Sequence, residues 1–314
     1  MVESNSTLPL AGTELVRKGL FDRLSKDAFA GINLVLNSAN FDMLQPGEVH
    51  ILWNHVNIDQ EAIANMAVSG FVDQVDYFVY VSHWQYEKYR YRFNAPQHNS
   101  IVIKNAIDPI GYVDKPRKIK LIYTSMPWRG LAVLLDAFEL LNRNDIELDI
   151  FSSTIIYGSD FHSHAENHFS PLFERAKKMP NVNYYGYASN EDVRQALMDS
   201  HIFAYPSIWE ETSCVSAIEA GAAGLSMVTT NLGALYETLA EWPMYVHFDS
   251  NWNNLVRNFA AALNQAIDDY WLSSTQIKLY EQHQYFNKFW TWPTRIKEWE
   301  NFLNGVRREK NLAP

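Results

Sequence analysis

Two glutamates stand eight positions apart in Glu211-Thr-Ser-Cys-Val-Ser-Ala-Ile-Glu219, and their spacing poses a chemical problem. Thr212 and Ser213 are residue types of a helix N-cap, so the pattern predicts a helix opening near Ser213. The apolar stripe of that helix runs Val215, Ile218, position 219 and Ala222, which puts an acid on the buried side. A buried carboxylate is costly unless it is paired, so Glu219 needs a partner. Its neighbours Ala217, Ala220, Gly221, Ala222, Ala223 and Gly224 are small enough to let a backbone or a flat ligand approach. Glu211 stands at the carboxyl end of the strand candidate IFAYPS. One acid at the mouth and one on the wall can face a single ligand at the helix N-terminus, whose free N–H groups suit an anion. An anion carrying vicinal hydroxyls, such as a nucleoside diphosphate sugar, satisfies every group. A mouth glutamate and a glutamate ion-paired to a neighbouring Arg or Lys satisfy the same spacing equally well.

The elements that position these residues read as alternating strands and helices. Strand candidates are 32–36, 50–53, 76–82, 100–105, 120–125, 147–153, 182–186, 202–207 and 226–230. Helix candidates begin near Thr13, Asp59, His83, Gly130, Pro171, Asn190, Ser213 and Leu232. This βαβ alternation predicts parallel sheets with helices on both faces. The stretch Asp108–Pro116 combines Pro, Gly and charge without periodicity and reads as a linker. It divides an N-terminal domain, 1–110, from a C-terminal domain, 111–284. The aromatic tail, 285–314, is expected to be a helix that packs back across both. Open α/β sheets bind ligands at the carboxyl ends of their strands, so two facing domains imply a cleft.

Bulk properties narrow the function classes. The chain has 314 residues, 47% of them hydrophobic and 14% aromatic, as expected of a protein with a substantial core. A formal charge of -10 argues against nonspecific nucleic-acid binding. It also disfavours broad adhesion to anionic membranes, although a local basic face leaves peripheral membrane contact open. The single cysteine, Cys214, fits a reducing compartment. The N-terminus lacks the basic and apolar regions of a signal peptide, and no run approaches the roughly 20 apolar residues of a spanning helix. The expected location is the cytoplasm.

The run YPSIWEETSCVSAIEAGAAG (205–224), followed by VTTNLGALYE, resembles the donor-binding signature of family 4 retaining glycosyltransferases. Their E-x7-E pair is here Glu211 and Glu219. The resemblance extends through GYASNEDVRQAL (186–197), YTSMPWRGLAVLLDAF (123–138) and the tail FWTWPTRIKEWENFL. In the N-terminal half, AGTELVRKGL (11–20) resembles a glycine loop opening the first helix, and IKNAIDPI resembles the end of that domain. The resemblance implies the GT-B fold, with two facing Rossmann-like domains, a reduced N-terminal one and a C-terminal helix that crosses back. It further implies that Glu219 holds the ribose and Glu211 contacts the donor sugar beside the amides of Thr212, Ser213, Cys214 and Val215. Arg129, with Ser125 nearby, falls where the family has a diphosphate-binding lysine. The backbone of Tyr187 and Ala188 would read the base, Gly12 and Thr13 would approach the diphosphate, and His55 would lie near the transferred sugar.

Two departures from the family pattern stand out. Family members often carry Gly-Arg where this chain has Tyr123-Thr124, so one phosphate cation is missing. Only ten residues, MVESNSTLPL, precede the glycine loop, which implies a short or truncated first strand. The activity implied is transfer of a hexose, weakly from a UDP-sugar, to a glycan, glycolipid or other hydroxyl acceptor, with retention and with neither metal nor cofactor. The helix dipole, amides and Arg129 would then stabilise the departing diphosphate. Glu211 and His55 would position the sugar, in contrast to a glycosidase acid/base pair.

Other constellations have plainer readings. Asp160-Phe-His-Ser-His-Ala-Glu-Asn-His168 carries a spacing seen at zinc sites but reads as a polar surface loop. The acids of Asp145–Asp149 alternate along a strand and read as a solvated face. Cys214 reads as a small packed residue, although a helix start can lower a thiol pKa. The run His83–Phe93 mixes aromatic and basic residues and reads as a half-buried amphipathic helix, with an acceptor-stacking or membrane-facing surface as the alternative. Two further functions fit the architecture: a non-hydrolysing sugar-nucleotide epimerase, and a degenerate sugar-nucleotide-binding scaffold. The first calls for more cleft acids and histidines than Glu211, Glu219 and His55.

Overall fold

The computed structural model describes residues 11–155 and 159–312, the side chains of 159–167 excepted. The short first strand expected before the glycine loop lies outside the described residues. Among those described, ten strands form two separate sheets, and every pairing is parallel.

The first sheet holds β1 (Ile32–Leu36), β2 (Val49–Asn54), β3 (Tyr77–Tyr80) and β4 (Ser100–Val102), in that spatial order. Leu34 lies opposite Ile51, and Leu52 opposite Phe78. Helices cover both faces, so β3 is buried at all four positions and its sequence is an unbroken apolar and aromatic run. The second sheet holds β5 (Ile119–Tyr123), β6 (Ile146–Ile150), β7 (Val182–Tyr184), β8 (Ile202–Tyr205), β9 (Ser226–Thr230) and β10 (Met244–Val246). Its spatial order is β10-β9-β8-β5-β6-β7, so strand order reverses between β5 and β8.

The helices are α1 (Gly12–Phe21), α2 (His83–Phe93), α3 (Leu131–Leu141), α4 (Ser159–Lys178), α5 (Asn190–Asp199), α6 (Val215–Ala222), α7 (Leu235–Leu239), α8 (Trp252–Asp268), α9 (Ser273–Phe289) and α10 (Trp292–Glu309). The tail expected as one helix is two, because Trp290 leaves helical geometry and Pro293 opens a new first turn. Although α10 follows the second sheet, its Trp292, Trp299, Leu303 and Val306 share a core with Leu20, Trp53 and Val79 beside the first sheet. The returning chain is fixed where it crosses: Ile107 donates to the Trp290 carbonyl at 2.9 Å, and Trp292 donates back to Ile107 at 3.2 Å.

Several expectations need correction. The segment after Asp59 forms 3₁₀ turns over Glu61–Ala67, not an α-helix. The helix expected near Pro171 begins at Ser159, with Pro171 inside it. The histidine-rich run therefore lies on helical backbone, not in a loop; His168 is exposed, and the side chains of 159–167 lie outside the described residues. Asp149 is buried, not solvated, because Asn183 donates to it at 2.8 Å and Lys120 stands at 3.4 Å. Strand β10 and helix α8 have no counterpart among the sequence expectations.

Candidate active site

The carboxyl ends of β5 and β8, where strand order reverses, are where a doubly wound sheet opens a crevice. A cavity of about 810 Å³ occupies that crevice and extends to the carboxyl end of β2 in the first sheet. Its walls come from the segments that follow β2, β4, β5, β7 and β8, together with the first turns of α1 and α6.

After β5 the chain turns through Pro127–Arg129 into α3. Gly130 makes this turn possible: its φ is +126°, and a Cβ there would fall 2.1 Å from the Pro206 carbonyl oxygen. The Ile208 amide donates to the Arg129 carbonyl at 3.2 Å, which fastens the turn to the segment after β8. Arg129 is thereby aimed at Glu211. Its Nη1 ion-pairs with Glu211 Oε1, and the Tyr205 hydroxyl donates to the same oxygen at 2.5 Å. Glu211 is buried, and its negative charge helps keep Arg129 fully protonated against the desolvation of the site. Gly233 packs on its backbone, since a Cβ there would lie 2.5 Å from the Glu211 nitrogen.

Helix α6 starts at Val215, two residues later than the cap residues suggest, and Cys214 is its N-cap without a side-chain cap bond. Thr212 is drawn away from a capping role because its hydroxyl donates to the His55 carbonyl across the cleft at 2.6 Å. The N-terminus of α1 faces that of α6: a Cβ on Gly12 would lie 3.4 Å from Val215 Cγ2. The helix starts of α1 and α6 thus lie side by side in the cavity wall. The small residues of α6 serve protein packing instead of a flat ligand. The face at Gly221 receives the Phe286 ring of α9, at 2.6 Å from where a Cβ would stand.

Glu219 lies at the cavity edge, half-buried, with Arg194 Nη1 at 3.5 Å. The ion-paired alternative is therefore partly realised. The pair is loose because Arg194 also donates to the carbonyls of Asp108, at 3.3 Å, and Pro109, at 2.8 Å. Burial pushes the Glu219 carboxyl up to about 7, against the opposing pull of Arg194 and with a smaller push from Asp108.

His55 follows β2. Its amide donates to Asn37 Oδ1 at 2.6 Å, and its ring lies 4.6 Å from that of Trp53. Burial drives its pKa down to about 3, so the imidazole is neutral throughout the physiological range. Its Nε2 is buried and has no partner among the described residues; the same holds for Thr124 Oγ1, Ser213 Oγ, Asn105 Oδ1 and Arg129 Nε. All five residues line the cavity. These atoms belong to residues that line one cavity, where a bound group or water can supply the partners that buried polar atoms usually have. Burial, followed by the Glu211 charge, pushes the Cys214 thiol up to about 12, which leaves it protonated.

The cavity brings together every residue singled out from the sequence: Gly12, Thr13, His55, Ser125, Arg129, Tyr187, Ala188, Glu211, Thr212, Ser213, Cys214, Val215 and Glu219. Tyr187 and Ala188 stand at its rim beyond β7, where Phe151 and Tyr185 stack at 4.6 Å. Asn57, Asn105, Trp209 and Glu210 also line it and were not anticipated. Each lies just beyond the carboxyl end of a strand, which is the signal that would have found them. Arg129 is the single Lys or Arg among the described lining residues. No group of three or more metal-ligating side chains occurs among the described residues.

A model of the family described as Glycosyl transferases group 1 matches residues 105–283. One subunit of the human phosphatidylinositol N-acetylglucosaminyltransferase is 30% identical over 140 residues, covering 44% of this chain and 27% of that protein. The chain thus spans about a quarter of that relative's length. The pneumococcal O-GlcNAc transferase GtfA, solved with UDP and GlcNAc, superposes with a TM-score of 0.64 at 15% identity, over 87% of this chain and 56% of that one. A glycosyltransferase from Rickettsia africae gives 0.66 at 13% identity, over 97% of this chain and 84% of that one. Anabaena HepE, solved with UDP-glucose, gives 0.66 at 15% identity, over 87% of this chain and 79% of that one. At such identities the likeness carries the fold, which is GT-B with two parallel-sheet, Rossmann-like halves. The family model spans more than half of the sequence, and the chain belongs to the group 1 glycosyl transferases.

Proposed function

We propose that this chain is a retaining, metal-independent glycosyltransferase that moves a hexose from a nucleoside diphosphate sugar, a UDP-sugar in the first instance, to a hydroxyl acceptor. One observation carries the reading. Two helix N-termini and one arginine converge in a cavity whose walls hold Glu219 and Glu211. Anionic diphosphate suits the helix starts of α1 and α6, and Glu219 stands where ribose hydroxyls can donate to it. The preference for UDP rests on neighbours solved with UDP or UDP-glucose.

In this reading the departing diphosphate gathers charge on the amides near Gly12 and Val215 and on Arg129, where fixed dipoles need no reorganisation. Neutral His55 presents Nε2 to a sugar hydroxyl. Glu211, held by Arg129 and Tyr205, faces the transferred sugar. Retention follows if the acceptor attacks from the side of the leaving diphosphate, which itself takes the acceptor's proton. The acceptor is a saccharide, a lipid or another hydroxyl compound, reached through the first sheet's side of the cleft, and the expected setting is cytoplasmic.

The test is incubation with UDP-glucose, UDP-N-acetylglucosamine, GDP-mannose and ADP-glucose, with free nucleoside diphosphate as the readout. Release, faster with a hydroxyl acceptor, and an unchanged anomeric configuration in the product support the reading. An altered sugar on intact nucleotide would identify an epimerase instead, and heat stabilisation without release a binding protein.

A further inference from the structure

Donor binding makes no use of α2, yet this helix of the first half is fastened to the second half at two points. At its N-terminus the amides of His83 and Trp84 donate to the Glu237 carboxylate of α7, at 2.9 and 2.8 Å. The His83 ring stands 3.0 Å from the same carboxylate, and Lys104 is 3.9 Å away. Along the helix, Lys88 Nζ lies 3.1 and 3.2 Å from the two oxygens of Glu210, and Asn57 Nδ2 donates to Glu210 at 3.0 Å. Lys88 also sits over the Trp84 ring at 4.8 Å, which limits its wandering.

The two gripping acids belong to segments that are themselves joined at Glu211. Glu210 precedes it in sequence. The segment leading to Glu237 starts at Gly233, which bridges to Glu211, and the Ala234 amide donates to the Glu211 carbonyl at 2.7 Å. Because Gly233 leaves no room for a Cβ against the Glu211 backbone, a shift of one segment moves the other.

We propose that α2 is a clamp that sets the position of Glu211: Lys88 with Asn57, and the helix-start amides with Glu237, hold the paired segments 210–211 and 233–237 in register with the first half. Lys88, Glu210 and Glu237 are positioning residues, and Glu211 takes its working place only when the halves are closed on each other. What Glu211 then does rests on the proposed glycosyl transfer; the clamp itself does not.

The charge-swapped pair tests this in the full-length chain. Lys88→Glu and Glu210→Lys should each enlarge the radius of gyration in X-ray scattering, by opening the halves. With UDP-glucose and UDP-N-acetylglucosamine as probes, each should lower kcat by about tenfold or more, a ~1 Å misplacement costing on the order of a hundredfold, and should also weaken UDP binding, because opening the halves draws the α1 helix start away from that of α6. Lys88→Arg should behave as wild type. The double variant Lys88→Glu/Glu210→Lys should recover both scattering and kcat, which a general loss of stability would not do. Glu237→Ala, which frees the α2 amides, should also open the molecule. Unchanged scattering in Lys88→Glu and Glu237→Ala, or a double variant no better than its worse single, would overturn the clamp. If the wild type releases no nucleoside diphosphate from any sugar nucleotide, the transferase reading fails alone, and scattering still decides the clamp.

Discussion

Replacing Glu219 with Gln separates what its carboxylate does to the fold from what it does for a ligand. Burial raises the carboxyl from 4.5 to about 7, because Arg194 at 3.5 Å returns only part of the lost hydration. The sign follows from proton counting. Between pH 4.5 and 7 the folded chain binds this proton more tightly than the unfolded chain, so folding stability falls as pH rises across that window. Carried through to pH 8, the difference amounts to about 3 kcal/mol, an upper bound. The carboxylate keeps 13% of its surface open to the cleft, which reduces it. Gln carries no such term. Nor does it strand Arg194, whose other donors stay on the carbonyls of Asp108 and Pro109.

Urea unfolding of both proteins at pH 5, 6.5 and 8 measures the effect. The variant's advantage should be small at pH 5 and grow to about 1–3 kcal/mol at pH 8. Titration with UDP at pH 8 should run the other way, since losing a charged acceptor for hydroxyls costs about 1.5–3 kcal/mol, roughly ten- to hundredfold in affinity. A stability gap that does not change with pH, or one favouring the wild type at pH 8, would show a carboxylate ionised and stabilised by Arg194. Unchanged UDP affinity would remove the ribose role.

Arg129→Met leaves buried Glu211 without its cation and should cost about 3–5 kcal/mol in urea unfolding, whereas Glu211→Gln should cost clearly less. Gly130→Ala forces a Cβ to 2.1 Å from the Pro206 carbonyl at a φ of +126°, so the variant should lose at least about 3 kcal/mol or fail to accumulate as folded protein. Cys214, its thiol raised to about 12, should react with a disulfide reagent at pH 8 no faster than the chain unfolds, and at once in concentrated urea. His55 is neutral down to about pH 3. His55→Gln should therefore lower kcat without changing the shape of the kcat–pH profile; a wild-type limb near 6.5 that vanishes in the variant would contradict this.

The parallel sheets were legible because strands covered on both faces are written as continuous runs, as in YFVY of β3 and IFAY of β8. Strand β10, at the sheet edge with only Val246 buried, is not covered in this way, and Pro171 misled because it marks a helix start more often than an interior. The candidate residues that line the cavity were legible individually, since they follow strand ends or open helices. Their pairings were not. Arg129 meets Glu211 across 82 positions, and Thr212 reaches His55 across 157, contacts set by how the segments after different strands face one another. The same long-range geometry moved the start of α6 from Ser213 to Val215, because the hydroxyl that local rules assign to capping is taken by another strand's carbonyl.

Thr124 bears on how such a cavity attracts an anion. Counting side chains, the cavity is poor in positive charge: one arginine, already paired with Glu211, and a threonine where the family resemblance implies a cation. Helix termini do not appear in such a count. Each helix start contributes roughly half an elementary charge, and those of α1 and α6 meet near Gly12 and Val215, so together they supply about as much as the missing side chain. Their charge is also fixed. A long cationic side chain must be ordered when a phosphate arrives, whereas backbone N–H groups in a helix start are ordered already. Thr124 Oγ1, buried and without a partner among the described residues, then offers a neutral donor in place of a charge. The cation that the resemblance implies is absent at a position where two helix starts supply positive potential by other means.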